Sequence, residues 1–387
     1  MDQNGNRKSI PFNRPFCVGK ELYYIAQAVM VDSHISGDGR FTKLCHKWLE
    51  ETLGTSKALL THSCTAALEM AAILCDLGPG DEVVLPSFTF VSTANAFVLR
   101  GATPVFVDIR HDNLTIDEKL LEQALTPRTK AVVPVHYAGT ACEMDEIMSI
   151  AASRGMIVIE DAAQALLSTY NGAYLGTMGS FGCLSFHETK NVISGEGGAL
   201  LINDPAYVER AEIIREKGTN RCRFFRGEVD KYSWVDLGSS FLPSELIGAF
   251  LYAQLEHAEQ IVKTRRAIFD RYYRQLEPLA EKELLILPII ASRRSSNGHM
   301  FYIITRSLEE RTGLIRYLKE QDVSAIFHYV PLHSSPAGRK YGRVAGRMDV
   351  TDDMSDRLLR LPLYFEMTDK EVDRVVELVW DFYSSVG

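Results

Sequence analysis

Ile159-Glu160-Asp161-Ala162-Ala163-Gln164 and, a short interval further on, Ser185-Phe186-His187-Glu188-Thr189-Lys190-Asn191 each leave an apolar run, Met156-Ile157-Val158-Ile159 for the first and Cys183-Leu184-Ser185-Phe186 for the second. Short unbroken apolar runs are what strands buried on both faces require. Similar runs occupy 82–85, 104–107, 131–135 and 199–202, alternating with helical segments, so the pattern predicts a largely parallel sheet with crossover helices. Open α/β sheets collect ligands beyond the carboxyl ends of their strands, and both charged strings lie there.

The chemistry of the two strings is complementary. An aspartate at a strand end is often only a cap, and a lone lysine is usually solvated. Set together with the Ser185 hydroxyl around one small volume, they suit pyridoxal phosphate. Asp161 can keep a pyridine nitrogen protonated, and Lys190 can form an imine with the aldehyde once its amine is held below its usual pKa near 10.4. The freed Lys190 amine can then carry a proton between carbons as base and acid.

A phosphate site is expected to accompany them. Residues 57–65, Lys-Ala-Leu-Leu-Thr-His-Ser-Cys-Thr, read as a strand turning into a helix over 65–77, stopped by Gly78-Pro79-Gly80. Free N–H groups of its first turn, at Ser63, Cys64 and Thr65, with the hydroxyls of Ser63 and Thr65, would hold a dianion; alone, such a turn reads as an ordinary helix cap.

Elsewhere, Thr115-Ile116-Asp117-Glu118 has the form of a capping box, and a helix over 144–153 is closed by Gly155. From Pro243 an amphipathic pattern through Leu246, Phe250, Leu255, Ile261 and Phe269 predicts one long bridging helix. The expected division is 1–258 for an N-terminal segment with the large cofactor-binding domain and 259–387 for a small α/β domain, with strands at 300–304 and 323–327, a helix near 314–318 and a last helix capped by Thr368 and Glu371. The turn His328-Tyr329-Val330-Pro331-Leu332-His333 is expected to face the site, although lone histidines are more often packing residues.

At 387 residues, 46% hydrophobic and 24% charged, the chain reads as an ordinary globular protein, and the net charge of -8 argues against nucleic-acid or anionic-membrane binding. Seven cysteines, Cys17, Cys45, Cys64, Cys75, Cys142, Cys183 and Cys222, have no paired short spacing, so neither a metal site nor a disulfide framework is expected, and Cys64 is read as a small buried side chain. The polar start, residues 1–9, is expected to be mobile, with no secretory signal or membrane span, which places the protein in the cytoplasm.

These motifs resemble the DegT/DnrJ/EryC1/StrS sugar aminotransferases, over nearly the whole chain: Ile10-Pro11-Phe12-Asn13, Ser36-Gly37-Asp38-Gly39, Ser63-Cys64-Thr65-Ala66-Ala67-Leu68, Pro86-Ser87-Phe88-Thr89-Phe90, Glu160-Asp161-Ala162-Ala163-Gln164, Gly195-Glu196-Gly197-Gly198 and Pro331-Leu332-His333. The resemblance implies an aspartate-aminotransferase-like fold of type I and a homodimer with shared active sites. It implies Lys190 as the imine lysine, Asp161 as the pyridine partner, Gln164 against the ring, Phe90 on its face, and Thr65 with Ser185 at the phosphate. Where many members carry an asparagine that reaches the neighbouring subunit's phosphate, this chain has Gly238-Ser239-Ser240-Phe241, so Ser240 takes that place. Relatives with histidine at the imine position are dehydratases; Lys190 is intact here, with His187 three residues before it.

Within the family, Pro134-Val135-His136-Tyr137-Ala138-Gly139, Arg215-Glu216-Lys217-Gly218-Thr219-Asn220-Arg221, Phe224-Phe225-Arg226-Gly227 and Val229-Asp230-Lys231-Tyr232 resemble a subgroup that aminates the 4-keto carbon of a nucleotide-linked 4-keto-6-deoxy sugar, with L-glutamate as donor. Lys217, Arg221, Arg223, Arg226 and Lys231, interleaved with Phe224, Phe225, Tyr232 and Trp234, suit a diphosphate flanked by a base and a sugar, although a charged run is more often a solvated face. His187 and His328 complete the expected substrate contacts. Another nucleotide sugar or a different keto position, and a non-catalytic cofactor-binding regulator, stay open.

Overall fold

The computed structural model describes residues 9–289 and 292–386. The expectation for the amino-terminal tail falls, except for Ser9, outside the described residues. The apolar runs form the strands β1 (Lys57–Thr61), β2 (Glu82–Pro86), β3 (Thr103–Val107), β4 (Thr129–Val132), β5 (Ile157–Asp161), β6 (Phe181–Ser185) and β7 (Gly198–Ile202). With β8 (Arg343–Val344), contributed from far along the chain, they make an eight-stranded sheet in the order β1-β7-β6-β5-β4-β2-β3-β8. Only β7 runs antiparallel to its neighbours β1 and β6; the remaining pairs are parallel.

Alternate residues explain the unbroken apolar runs. Val84, Val105, Val132, Val158 and Leu184 point into one core, and Val83, Phe106, Ala131, Ile159 and Cys183 into the core on the other face. With helices covering both faces, each such large side chain contributes roughly 1.5–3 kcal/mol by burial. The run expected over 131–135 is shorter as a strand. Pro134 has no N–H to give the ladder, which ends at Val132 and resumes as an isolated bridge between Val135 and Asp161.

Three further expectations need correction. Thr115 does not cap a helix: its hydroxyl donates to Asn113 Oδ1 at 2.8 Å, and Asp117 caps the turn Glu118–Leu120 instead. The helix after the phosphate turn is Cys64–Leu74, one turn shorter than the apolar pattern suggested, with Ser63 as its cap. The long helix from Pro243 is two helices, Glu245–Leu255 and Ala258–Glu281; Leu251, Leu255, Ala258 and Ile261 share one core, and from Ile268 onward the second helix serves another. The first packs on the helices Glu21–Ala26 and Arg40–Leu53, the second on Asp369–Val386, and one straight helix cannot face both. The expected division at 258/259 falls at the start of the second.

Beyond it, Phe301–Ile304, Leu358–Leu361 and Ile326–Phe327 form a small antiparallel sheet with Leu358–Leu361 in the middle. The strand expected over 323–327 keeps only its last two residues, while Val323 instead bridges Ile10, which is buried in the same core as Leu276, Leu314 and Val379. The closing helix starts as expected: Thr368 Oγ1 accepts from Glu371 N while Glu371 Oε2 accepts from Thr368 N at 2.8 Å. All seven cysteines are free.

Candidate active site

The ends of β5 and β6 open into a cavity of about 820 Å³ between the large sheet and the small one. Asp161, the last residue of β5, is 6% exposed, and its carboxylate is fixed from two sides: Thr93 Oγ1 donates to Oδ2 at 2.7 Å and the Ala163 N–H to Oδ1 at 3.1 Å. Thr89 holds the Thr93 hydroxyl in turn at 2.8 Å. Behind it, Glu160 is fully buried and accepts from the N–H groups of Gly176, Met178 and Gly179. The Cys142 N–H donates to His136 Nδ1, so His136 Nε2 is the donor to Glu160, at 2.8 Å. Asp161 therefore stands on a polar floor whose donors are satisfied.

Lys190 follows β6 on a turn pinned by His187, whose backbone carbonyl accepts from the Lys190 N–H at 2.9 Å. Burial pushes the amine's pKa below its ordinary 10.5, against the opposing pull of Cys64 and Asp161. A lowered pKa is what a nucleophilic amine needs. The next residue, Asn191, ties this loop to the far side of the cavity, donating to the Asn297 carbonyl at 2.8 Å and meeting His299 Nδ1 at 2.9 Å.

The helix Cys64–Leu74 aims its amino end into the same cavity, where Ser63, Cys64, Thr65 and Ser185 form one wall. The Ser63 hydroxyl accepts from Ala66 N at 3.1 Å, and the Thr65 hydroxyl donates to Ser92 at 2.8 Å. Gly198 makes the approach of this turn to β7 possible, since a Cβ there would lie 2.4 Å from the Cys64 nitrogen. Burial holds the Cys64 thiol well above its ordinary pKa, so it stays protonated and unreactive. Opposite, Gln164 Oε1 accepts from Ala138 N at 2.6 Å and Gln164 Nε2 donates to Tyr329 at 3.0 Å. Phe90, 57% exposed at the start of the helix Val91–Val98, presents a ring to the cavity.

This donor set fits pyridoxal phosphate: one cavity holds an anion turn at a helix amino end, a fixed carboxylate, a depressed amine and a bare aromatic face. When bound, the cofactor supplies an electron sink for a carbanion next to nitrogen. The chain's own residues orient the carboxylate and hold an amine able to take or return a proton.

His187 and His328 also line the cavity. His328 Nδ1 lies 3.0 Å from the Tyr137 hydroxyl, and burial, with Arg360 and Lys190 nearby, keeps this imidazole neutral. His333 does not line it; its Nδ1 pairs with the Ser87 hydroxyl at 2.7 Å. Lys217, Arg221, Arg226 and Ser240 lie apart, on the wall of a second cavity of about 810 Å³. There Arg226 is paired with Glu212 and Glu228, each at 2.7 Å, and Lys217 with Glu216 at 3.4 Å. Thr93 and Arg360 were not anticipated from the sequence, and Tyr329 only as a member of the turn 328–333. Arg360 had a readable signal, a cation inside the apolar string Leu358-Leu359-Arg360-Leu361.

Among the described residues no cluster of ligating side chains could hold a metal ion, and no helix is long and apolar enough to cross a membrane. Comparison with known proteins agrees with the geometry. Residues 17–380 match the DegT/DnrJ/EryC1/StrS aminotransferase family. The chain is 32% identical to the spore coat polysaccharide biosynthesis protein SpsC of Bacillus subtilis, covering 96% of each chain. It is 29% identical to the GDP-perosamine synthase of Escherichia coli O157:H7, covering 97% of this chain and 99% of that one. The solved aminotransferase TlmJ of Streptoalloteichus hindustanus superposes with a TM-score of 0.90 at 29% identity, covering 98% of this chain and 100% of that one.

Proposed function

This chain belongs to the DegT/DnrJ/EryC1/StrS aminotransferase family and is a pyridoxal-phosphate-dependent sugar aminotransferase, and we propose that it moves the amine of L-glutamate to the 4-keto carbon of dTDP-4-dehydro-6-deoxy-D-glucose, giving dTDP-4-amino-4,6-dideoxy-D-galactose. That is the work of a dTDP-4-amino-4,6-dideoxygalactose transaminase, an enzyme of enterobacterial common antigen and lipopolysaccharide biosynthesis, acting in the cytoplasm as a homodimer.

The observation that carries the transfer chemistry is the half-buried Lys190 amine, its pKa lowered, sharing one cavity with the doubly anchored Asp161 carboxylate. In this reading Lys190 carries the proton between carbons, and Asp161 pairs with the ring nitrogen, flanked by Gln164 and Phe90. The phosphate rests on Ser63, Cys64, Thr65 and Ser185. Ser240, Lys217, Arg221 and Arg226 line a separate wall in their own chain and serve the partner subunit's phosphate and diphosphate, which is what makes two subunits necessary. His187 and His328 contact the sugar.

The choice of sugar is supported by the strings at 134–139, 215–221 and 224–232. The similarity to a GDP-perosamine synthase favours a second reading, a GDP-linked keto sugar. Incubating holoenzyme with L-glutamate and a panel of dTDP-, UDP- and GDP-linked keto sugars, then identifying the amino product by mass and NMR, separates them. Preferred turnover of a sugar other than the dTDP-linked 4-keto compound would refute the proposed substrate.

A further inference from the structure

We propose that Arg360 receives the α-carboxylate of the amino donor and is the residue that makes the cavity specific for an amino acid in that half of the reaction. The inference rests on the aminotransferase reading above and adds a residue to it.

Five carboxylate, ammonium and guanidinium groups line the cavity: Asp161, Glu196, Lys190, Arg265 and Arg360. Four are accounted for within the chain. Asp161 is anchored by Thr93 and Ala163, and Glu196 sits at the rim, 3.7 Å from His187 Nε2. Lys190 is the amine whose charge burial suppresses. Arg265 is fully buried with Nε and Nη2 donating to three backbone carbonyls, those of Gly298 at 3.2 Å, His299 at 2.7 Å and Leu363 at 3.2 Å, and only its Nη1 left without an acceptor, so it fastens the helix Ala258–Glu281 to the small sheet.

Arg360 is different. Among the described residues its one hydrogen bond is a long one, 3.4 Å from Nη2 to the Phe327 carbonyl, and its Nε is buried with no acceptor. No carboxylate pairs with it; its neighbours are the phenols of Tyr137 and Tyr329, and the ring of Phe12 stacks 4.8 Å from the guanidinium carbon. Arginine does not deprotonate in proteins, so a partly desolvated positive charge remains. Leaving such a charge unpaired is costly, and it is removed by an anionic partner. Arg360 is also well fixed, in the central strand of the small sheet between Tyr302 and Ile326, so it is organised before any ligand arrives.

The chemistry of the reaction selects the anion. In an amino donor the α-carboxylate is bonded to the carbon that loses its proton to Lys190, so it must lie within the same cavity. In a nucleotide sugar the diphosphate hangs from the anomeric carbon, across the ring from the 4-keto carbon, and lies further out. A guanidinium with a free edge binds a carboxylate through two parallel hydrogen bonds, with Phe12 holding its plane. When the keto sugar replaces the amino acid, that position faces a neutral ring, so Arg360 serves one half of the cycle.

The test compares wild-type holoenzyme with Arg360→Ala and Arg360→Lys in separated half reactions. Single-turnover loss of the cofactor's visible absorbance is followed with L-glutamate, and its return with the keto sugar; calorimetry measures 2-oxoglutarate binding to the amine form. Arg360→Ala is expected to lower the glutamate half reaction and 2-oxoglutarate affinity about 100-fold, with a smaller loss for Arg360→Lys and less than about 3-fold change in the sugar half. Wild type should discriminate about 100-fold against L-glutamate 1-amide, which lacks the α-carboxylate, and Arg360→Ala hardly at all. Equal losses in both halves, or undiminished discrimination by Arg360→Ala, would overturn the assignment. If wild type refuses glutamate but accepts another amino acid, the donor named above is wrong and Arg360 is tested with that amino acid. If no amino acid converts the cofactor, both ideas fall.

Discussion

Two cavities of nearly equal size, about 820 and 810 Å³, differ in how their charges are treated. Around Lys190 the polar groups are organised from inside: Asp161 is held by Thr93 and Ala163, Gln164 by Ala138 and Tyr329, and burial disfavours the charge on the amine. In the second cavity the cations Lys217 and Arg226 sit on the surface, paired with Glu212, Glu216 and Glu228, near exposed aromatic rings, with Trp234 79% and Phe225 69% exposed. The first is a reaction centre complete in its polar floor. The second has cations whose present partners contribute little energy, which leaves them able to change partners.

The strongest way to break this contrast is Lys190→Ala. Loss of both the nucleophile and the proton carrier should reduce turnover by roughly 10⁴-fold or more and abolish the imine absorbance; activity within about tenfold of wild type would refute the assignment. Next comes Asp161→Asn, which keeps the Ala163 N–H contact through its oxygen, reverses the Thr93 bond so that the amide donates to that hydroxyl, and removes the charge; it should cost about 10²–10³-fold in both half reactions.

The loop should behave otherwise. Arg221→Ala and Arg226→Ala are each expected to raise KM for the nucleotide sugar about tenfold while leaving the glutamate half reaction unchanged, measured by the same separated half reactions. Equal effects on both halves would place the loop in the first cavity's chemistry. The salt bridges themselves should hardly matter to the fold: a double-mutant cycle on Arg226 and Glu228 in urea should give a coupling below about 1 kcal/mol.

A smaller effect sharpens the account of the first cavity. Because burial lowers the folded-state pKa of Lys190 below its ordinary 10.5, the unfolded chain binds a proton that the folded chain resists. Stability tied to this group is present above pH 10.5 and is lost as pH falls from there to the lowered folded value. The apoprotein of Lys190→Met should therefore be more stable than wild type at neutral pH, the advantage vanishing above 10.5 in thermal melts. A constant difference across the range would show that the amine is solvated.

The reaction centre was legible because its chemistry-bearing residues lie at strand ends, and unbroken apolar runs announce those strands in one dimension. Thr93, Tyr137, Tyr329 and Arg360 come from other parts of the chain, and only packing brings them to Asp161 and Lys190. The misreadings have the same origin. Thr115 had the spacing of a cap, but Asn113 took its hydroxyl. The apolar pattern from Pro243 was continuous, yet its two ends belonged to different cores.

By itself the sequence determined the parallel sheet, through runs that only two-sided burial tolerates, and the identity of the acid and the amine, because few residue types can do that chemistry. Tertiary structure alone decided that the amine is desolvated, that Arg360 stands without a carboxylate beside it, and that the cationic loop lies on another wall. Those are consequences of distance and exclusion of water between residues remote in the chain, and no local pattern encodes them.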